Sequence, residues 1–113
     1  MIEEILKDYL GDSLSVPVCL EIPKDYPSRY YVIEKTGGAQ VNHIKSATVA
    51  IKSYGESMYD AASMNEDLKE VMLYGLVELP QIASVNLNSD YNFTDTTTKQ
   101  YRYQAVFDIR YYY

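Results

Sequence analysis

The sequence predicts an α+β fold: a mostly antiparallel sheet with one long helix packed on a face and a short N-terminal helix, in the order α-β-β-β-α-β-β. Three observations predict it. Tyr101, Tyr103, Ala105, Phe107, Ile109, Tyr111 and Tyr113 alternate without a break with Arg102, Gln104, Val106, Asp108, Arg110 and Tyr112, and only a strand separates two such sets cleanly. Residues 58–79 instead bring apolar side chains round at helical spacing. The 113 residues, 47% of them hydrophobic, suffice for a single domain, 1–113, whose modest core is best made by laying that helix on the sheet.

Taken in order, Ile2, Ile5, Leu6, Tyr9 and Leu10 recur at helical spacing among Glu3, Glu4, Lys7 and Asp8. Gly11 is placed to stop this helix after about ten residues. Val16, Val18, Leu20 and Ile22 alternate with Pro17, Cys19 and Glu21 in a first strand. Pro17 has no N–H for a ladder, which assigns that strand to an edge or a rim. Pro23 to Ser28 is turn chemistry. Arg29 to Thr36 forms a second strand and His43 to Tyr54 a third. The polar run Thr36 to Asn42 between them, with Gly37 and Gly38, suits a hairpin tip longer than two residues. Ser57 followed by Asp60 marks a helix start. Met58, Ala61, Ala62, Leu68, Val71, Met72, Gly75, Leu76 and Leu79 then trace one face of a helix of about 22 residues that Pro80 closes. Gly75 in that stripe is expected to let helix and sheet approach closely. Ile82 to Tyr91 reads as a fourth strand with Ala83, Val85, Leu87 and Tyr91 inward. Asn92 to Gln100 is a polar link to the closing strand.

Composition narrows the function classes. A net charge of −6 and a pI near 4.6 oppose a surface that wraps a nucleic-acid backbone, which needs a basic stripe. No run of about 18 apolar residues is present to span a membrane, and Met1-Ile2-Glu3-Glu4 lacks the order of a signal peptide. The one cysteine allows no internal disulfide and makes a cytosolic origin the expectation; Cys19, in an apolar run, reads as a small buried hydrophobe. The aromatic set is skewed, with thirteen tyrosines, two phenylalanines and no tryptophan. Tyrosine joins an apolar body to a polar tip and is enriched where surfaces meet.

Catalytic chemistry finds little to work with. His43 is the only histidine, and it lies beside a polar tip with no Ser/Asp partner signature. Gly37-Gly38 precedes a strand rather than a helix, so it lacks the dipole of a phosphate loop. One His and one Cys do not close a zinc site. Asp90 with Asp95, or Glu66, Asp67 and Glu70, remain as carboxylates for a cation, although the helical set reads as a solvated face. The four methionines read as core filler. Neither an enzyme, a cofactor nor a metal is expected.

The run Ile51 to Met64 (IKSYGESMYDAASM) leading into the long helix, together with Leu87 to Phe93 (LNSDYNF) and Lys99 to Ile109 (KQYRYQAVFDI), resembles the tail-terminator or tail-completion proteins of the head–tail neck of long-tailed bacteriophages and prophages. The similarity covers most of the chain and is weak over Met1 to Pro27. It implies a helix-on-sheet subunit that forms a ring, usually a hexamer when assembled. Such a ring caps the phage tail-tube protein and later docks to the head connector or completion protein. DNA passes through the lumen without specific binding, and no membrane is involved. The implied location is the virion neck, with assembly in the bacterial host cytoplasm.

On that reading ring contacts are heterologous, and the expected subunit interface uses Tyr31, Tyr54, Tyr103, Tyr111 and Tyr113 as anchors, with Arg102 and Arg110 pairing acids of a neighbour. The expected docking loops are Thr36 to Asn42, through Gly37, Gly38, Gln40 and Asn42, and Asn92 to Lys99, through Thr94, Asp95, Thr97 and Lys99. The alternative is a small ligand-binding or regulatory α+β domain, dimeric through its sheet, which requires a concave apolar pocket.

Overall fold

A computed structural model of the chain describes residues 1–25 and 27–112. The elements are α1 (Ile2–Ser13), β1 (Val18–Cys19), β2 (Tyr30–Val41), β3 (Ile44–Tyr54), α2 (Met58–Tyr74), a 3-10 turn (Leu76–Glu78), β4 (Ile82–Asn92) and β5 (Arg102–Tyr112). The strands form one sheet in the order β1-β2-β3-β5-β4. Every pairing is antiparallel except β1 with β2. This is the expected α+β order.

One face of the sheet is covered by the helices. Ile2, Leu6 and Leu10 of α1 and Ala61, Met64, Leu68 and Met72 of α2 are buried there, at the spacings that keep one helical stripe inward. All of these but Ala61 meet Tyr31, Ile33, Val49, Ile51, Ala105, Phe107, Ile109 and Tyr111 in one cluster. Two tyrosine hydroxyls tie the layers: Tyr31 donates to Met64 O at 3.0 Å, and Tyr9 donates to Val71 O at 2.9 Å. The Tyr31 hydroxyl titrates well above the ordinary phenol, chiefly because it is desolvated, with Asp67 adding repulsion.

Several boundaries differ from expectation, each for a local reason. The first strand shrinks to Val18–Cys19, an edge position as Pro17 required, and Leu20 and Ile22 are exposed. Cys19 is therefore only half-buried. α1 continues past Gly11 to Ser13, because Leu14 N closes the last turn on Leu10 O at 2.8 Å and Leu14 packs on the core. α2 is 17 residues rather than about 22; beyond Gly75 the chain tightens into the 3-10 turn that sinks Leu76. Gly75 admits α1 rather than the sheet: a Cβ there would strike the Tyr9 hydroxyl.

The polar run Thr36 to Asn42 is strand rather than loop. β2 extends through Gly37 and Gly38 to Val41, and the turn is only Asn42-His43, with φ of 50° and 67°. Two consecutive positive φ values make a turn whose twist matches the flanking strands, and asparagine tolerates that region better than most residues. The described residues span 45 × 26 × 24 Å.

Candidate functional site

The second face of the sheet carries no helix among the described residues. Register and alternation place on it Tyr30, Val32 and Glu34 of β2, Ser46 to Tyr54 at alternate positions of β3, and Arg102 to Arg110 at alternate positions of β5. At one end Tyr30 and Tyr54 stack with centroids 4.5 Å apart and form a small cluster with Val32. Beside them the Arg102 guanidinium lies 4.5 Å from the Phe93 ring centroid and 6.0 Å from that of Tyr54. Its Nε donates to Phe93 O at 2.7 Å. Towards the other end the face becomes polar. Thr48 and Asn88 each donate to Asp108 at 3.0 Å, and Ser46, Thr48, Asn86, Asp108 and Arg110 line an open concavity of about 450 Å³.

The two segments expected to dock lie at opposite ends of this sheet. The Asn42-His43 turn sits beyond the Ile44↔Tyr112 pair, whereas the link after β4 sits beyond Asn92↔Tyr103. That link is built rather than loose. Asp95 and Gln100 exchange two backbone hydrogen bonds of 3.1 and 3.2 Å, and the Asp95 carboxylate accepts from Thr97 N at 3.0 Å. Amide bonds from Thr98 first and Thr97 next hold its carboxyl below the usual carboxylate range. Thr94 Oγ1 reaches Arg102 O, and Lys99 takes a φ of 55°. Gly37, Gly38, Gln40 and Asn42 are exposed at one end, and Thr97 and Lys99 at the other, with Thr94 and Asp95 half-buried.

The interface anchors fare differently. Tyr31, Tyr54 and Tyr111 are enclosed by their own chain and offer no ring to a neighbour; they are core residues, and the expectation is corrected. Their strand faces are the ones that packing needs filled. Tyr103 is half-buried. Arg102 is held by Phe93, Gln100 and Tyr54 instead of waiting for a neighbour's acid, while Arg110 is exposed. Tyr113 lies outside the described residues. The sequence reading missed the aromatic side chains that face out most: Tyr59, Tyr74 and Tyr112 are 84%, 77% and 50% exposed. A helical wheel carried that signal for Tyr59 and Tyr74, which fall off the apolar stripe.

Charge is divided between the layers. α1, α2 and the 3-10 turn hold nine acidic residues against Lys7 and Lys69, whereas the open face holds Glu34 and Asp108 against Lys52, Arg102 and Arg110. Lys69 bridges Glu66 at 2.7 Å and Asp90 at 3.2 Å. Its ammonium is stabilised above the ordinary value, first by Glu66. Among the described residues no three His, Cys, Asp or Glu side chains gather as a metal site. No protein-family model and no curated protein sequence matches the chain.

Proposed function

We propose that the protein is a structural component of the head–tail neck of a long-tailed phage or prophage, which assembles as a ring, caps the tail tube and joins it to the head connector. The observation that supports this best is the placement of two exposed, polar, hydrogen-bonded segments at opposite ends of one sheet. A joining protein needs two separate surfaces for two partners, held at a fixed distance by a rigid element, and loops on a rigid scaffold supply that. The division of charge suits a DNA passage. With the near-neutral polar sheet face turned to the lumen and the acidic helices outward, phosphates are neither gripped nor strongly repelled.

Two measurements test the reading. Purified protein, followed by sedimentation and electron microscopy over a wide concentration range, is expected to give rings with a central opening. In a phage or prophage that encodes it, interrupting the gene is expected to leave tails of uncontrolled length and heads without tails. Normal virions, or a compact dimer that binds a small metabolite, would overturn the proposal.

A further inference from the structure

We infer that copies of this chain join head to tail through their sheet edges, the outer edge of β2 in one copy pairing antiparallel with the outer edge of β4 in the next. The inference rests on the ring reading above and names the surface that builds the ring. β1 covers β2 only at Tyr31 and Val32, so from Ile33 to Val41 no strand lies on the outer side of β2 among the described residues. β4 ends the sheet on the other side. Along each edge the outward N–H and C=O groups face no further strand among the described residues, a template for another strand.

Direction favours this pair. β2, β3, β5 and β4 alternate in sense along the sheet, so β4 runs opposite to β2. Copies set side by side in one orientation therefore continue the antiparallel pattern already present. Because the two edges differ, the contact is heterologous and propagates until it closes, whereas pairing β4 with β4 would stop at a dimer.

Charge selects between these outcomes. From Lys35 to Lys45 β2 and its turn contain no acidic residue. Beside β4, the groove against α2 is rimmed by Glu66, Asp67 and Glu70 against the single cation Lys69, which Glu66 and Asp90 already engage, with Leu73, Tyr74 and Leu87 in it. Two β4 edges would bring those carboxylates together, while the β2 edge brings Lys35 to them. The register shifts in β4, between Ile82 and Ser84 and between Leu87 and Ser89, bend the strand and increase its twist, which a closing ring requires and a flat stack does not.

Cysteine cross-linking in a Cys19→Ser background tests the contact. Ala39, Ser46, Arg110 and Ser84 lie opposite one another across the sheet, so Ala39→Cys and Ser84→Cys sit at one level, with Asn86→Cys covering a shifted register. Mixed single variants are expected to give a covalent dimer on oxidation, and the double variant a ladder ending at the ring. Lys35→Glu is expected to weaken association about threefold to tenfold, and Glu70→Lys in the same chain to recover it. In the unmodified protein, backbone amides within 34–41 and 82–92 are expected to gain hydrogen-exchange protection on assembly. Rings that form without cross-links or new protection at these edges overturn the inference and leave the ring reading standing. A dimer cross-linked by Ser84→Cys alone also overturns it. A chain that stays monomeric at every concentration removes both.

Discussion

The junction between β3 and α2 makes a sharp stability prediction. A Cβ on Gly55 would stand 2.5 Å from Ala61 N and 2.8 Å from Ala61 Cα, where carbon contacts settle at about 3.5–4.0 Å. Those atoms belong to the first turn of α2, which Ser57 caps by accepting from Asp60 N at 3.0 Å. Gly55 itself donates to Tyr101 O at 3.1 Å. Neither side can swing away, so Gly55→Ala must push the helix start off the sheet. Overpacking costs about 1–3 kcal/mol, and disturbing the cap adds up to about 1 kcal/mol. The stiffer unfolded chain returns about 0.4–1 kcal/mol, leaving a net loss of about 1–3 kcal/mol. Gly11→Ala should move the other way. It lies inside α1 with nothing within 4 Å of a new Cβ, so alanine should stabilise by about 0.5–1 kcal/mol. Urea unfolding followed by far-ultraviolet circular dichroism reads both changes as shifts in midpoint. A Gly55→Ala midpoint at or above that of the parent would refute the tight junction, and a destabilising Gly11→Ala would return Gly11 to the role of helix stop.

Tyr111→Ala is expected to destabilise the fold by about 3–5 kcal/mol, since its ring is 6% exposed in the main core; a variant that unfolds at the parent's denaturant midpoint would remove it from the core. Ser57→Ala should cost about 1 kcal/mol, measured the same way, and Ser57→Asp should retain most of the stability. The lowered Asp95 pKa sets a pH window. Its contribution to ordering the Asp95–Gln100 turn is full above its ordinary value of 3.8 and is lost as pH falls through the lower folded value. Protection of the Thr97 and Thr98 amides, taken relative to their intrinsic exchange rates at each pH, should therefore fall in acid, and Asp95→Asn should abolish that dependence.

Periodicity carried the element order, because two-residue and helical repeats are imposed by burial on one face. It carried Ser57 as well, since a cap is a local bond. What it did not carry depended on a single inserted residue or on long-range packing. The shift between Leu87 and Ser89 changes which face later residues occupy. Asp90 therefore reaches Lys69 on the helical side, while Tyr91, expected inward, meets Gln104 on the open face. The Asn42-His43 turn lacks the glycine that would have flagged it, and Gly37-Gly38 drew attention to the wrong place. For the site, the two polar segments were legible as sequence. Their position at opposite ends follows only from the strand order.

The tyrosines decide what kind of assembly surface is left. Read as sequence, thirteen of them suggest an aromatic interface. In the fold, Tyr30, Tyr31, Tyr54 and Tyr111 fill the two cores, and Tyr9 and Tyr31 use their hydroxyls on carbonyls of α2. A sheet covered by helices on one side only must bury large side chains to make enough core from 113 residues, and a tyrosine whose tip finds a partner does so without a desolvation penalty. The rings are thereby spent inside the subunit, and the surfaces left for self-association are backbone edges, lysines and carboxylates, with a few exposed rings such as Tyr74 and Tyr112. Contacts of that composition are individually weak and screened by salt. A single pair of copies is then poorly held, whereas a closed ring makes every contact at once. Assembly through such contacts should accordingly be steep in concentration and loosen as salt is raised.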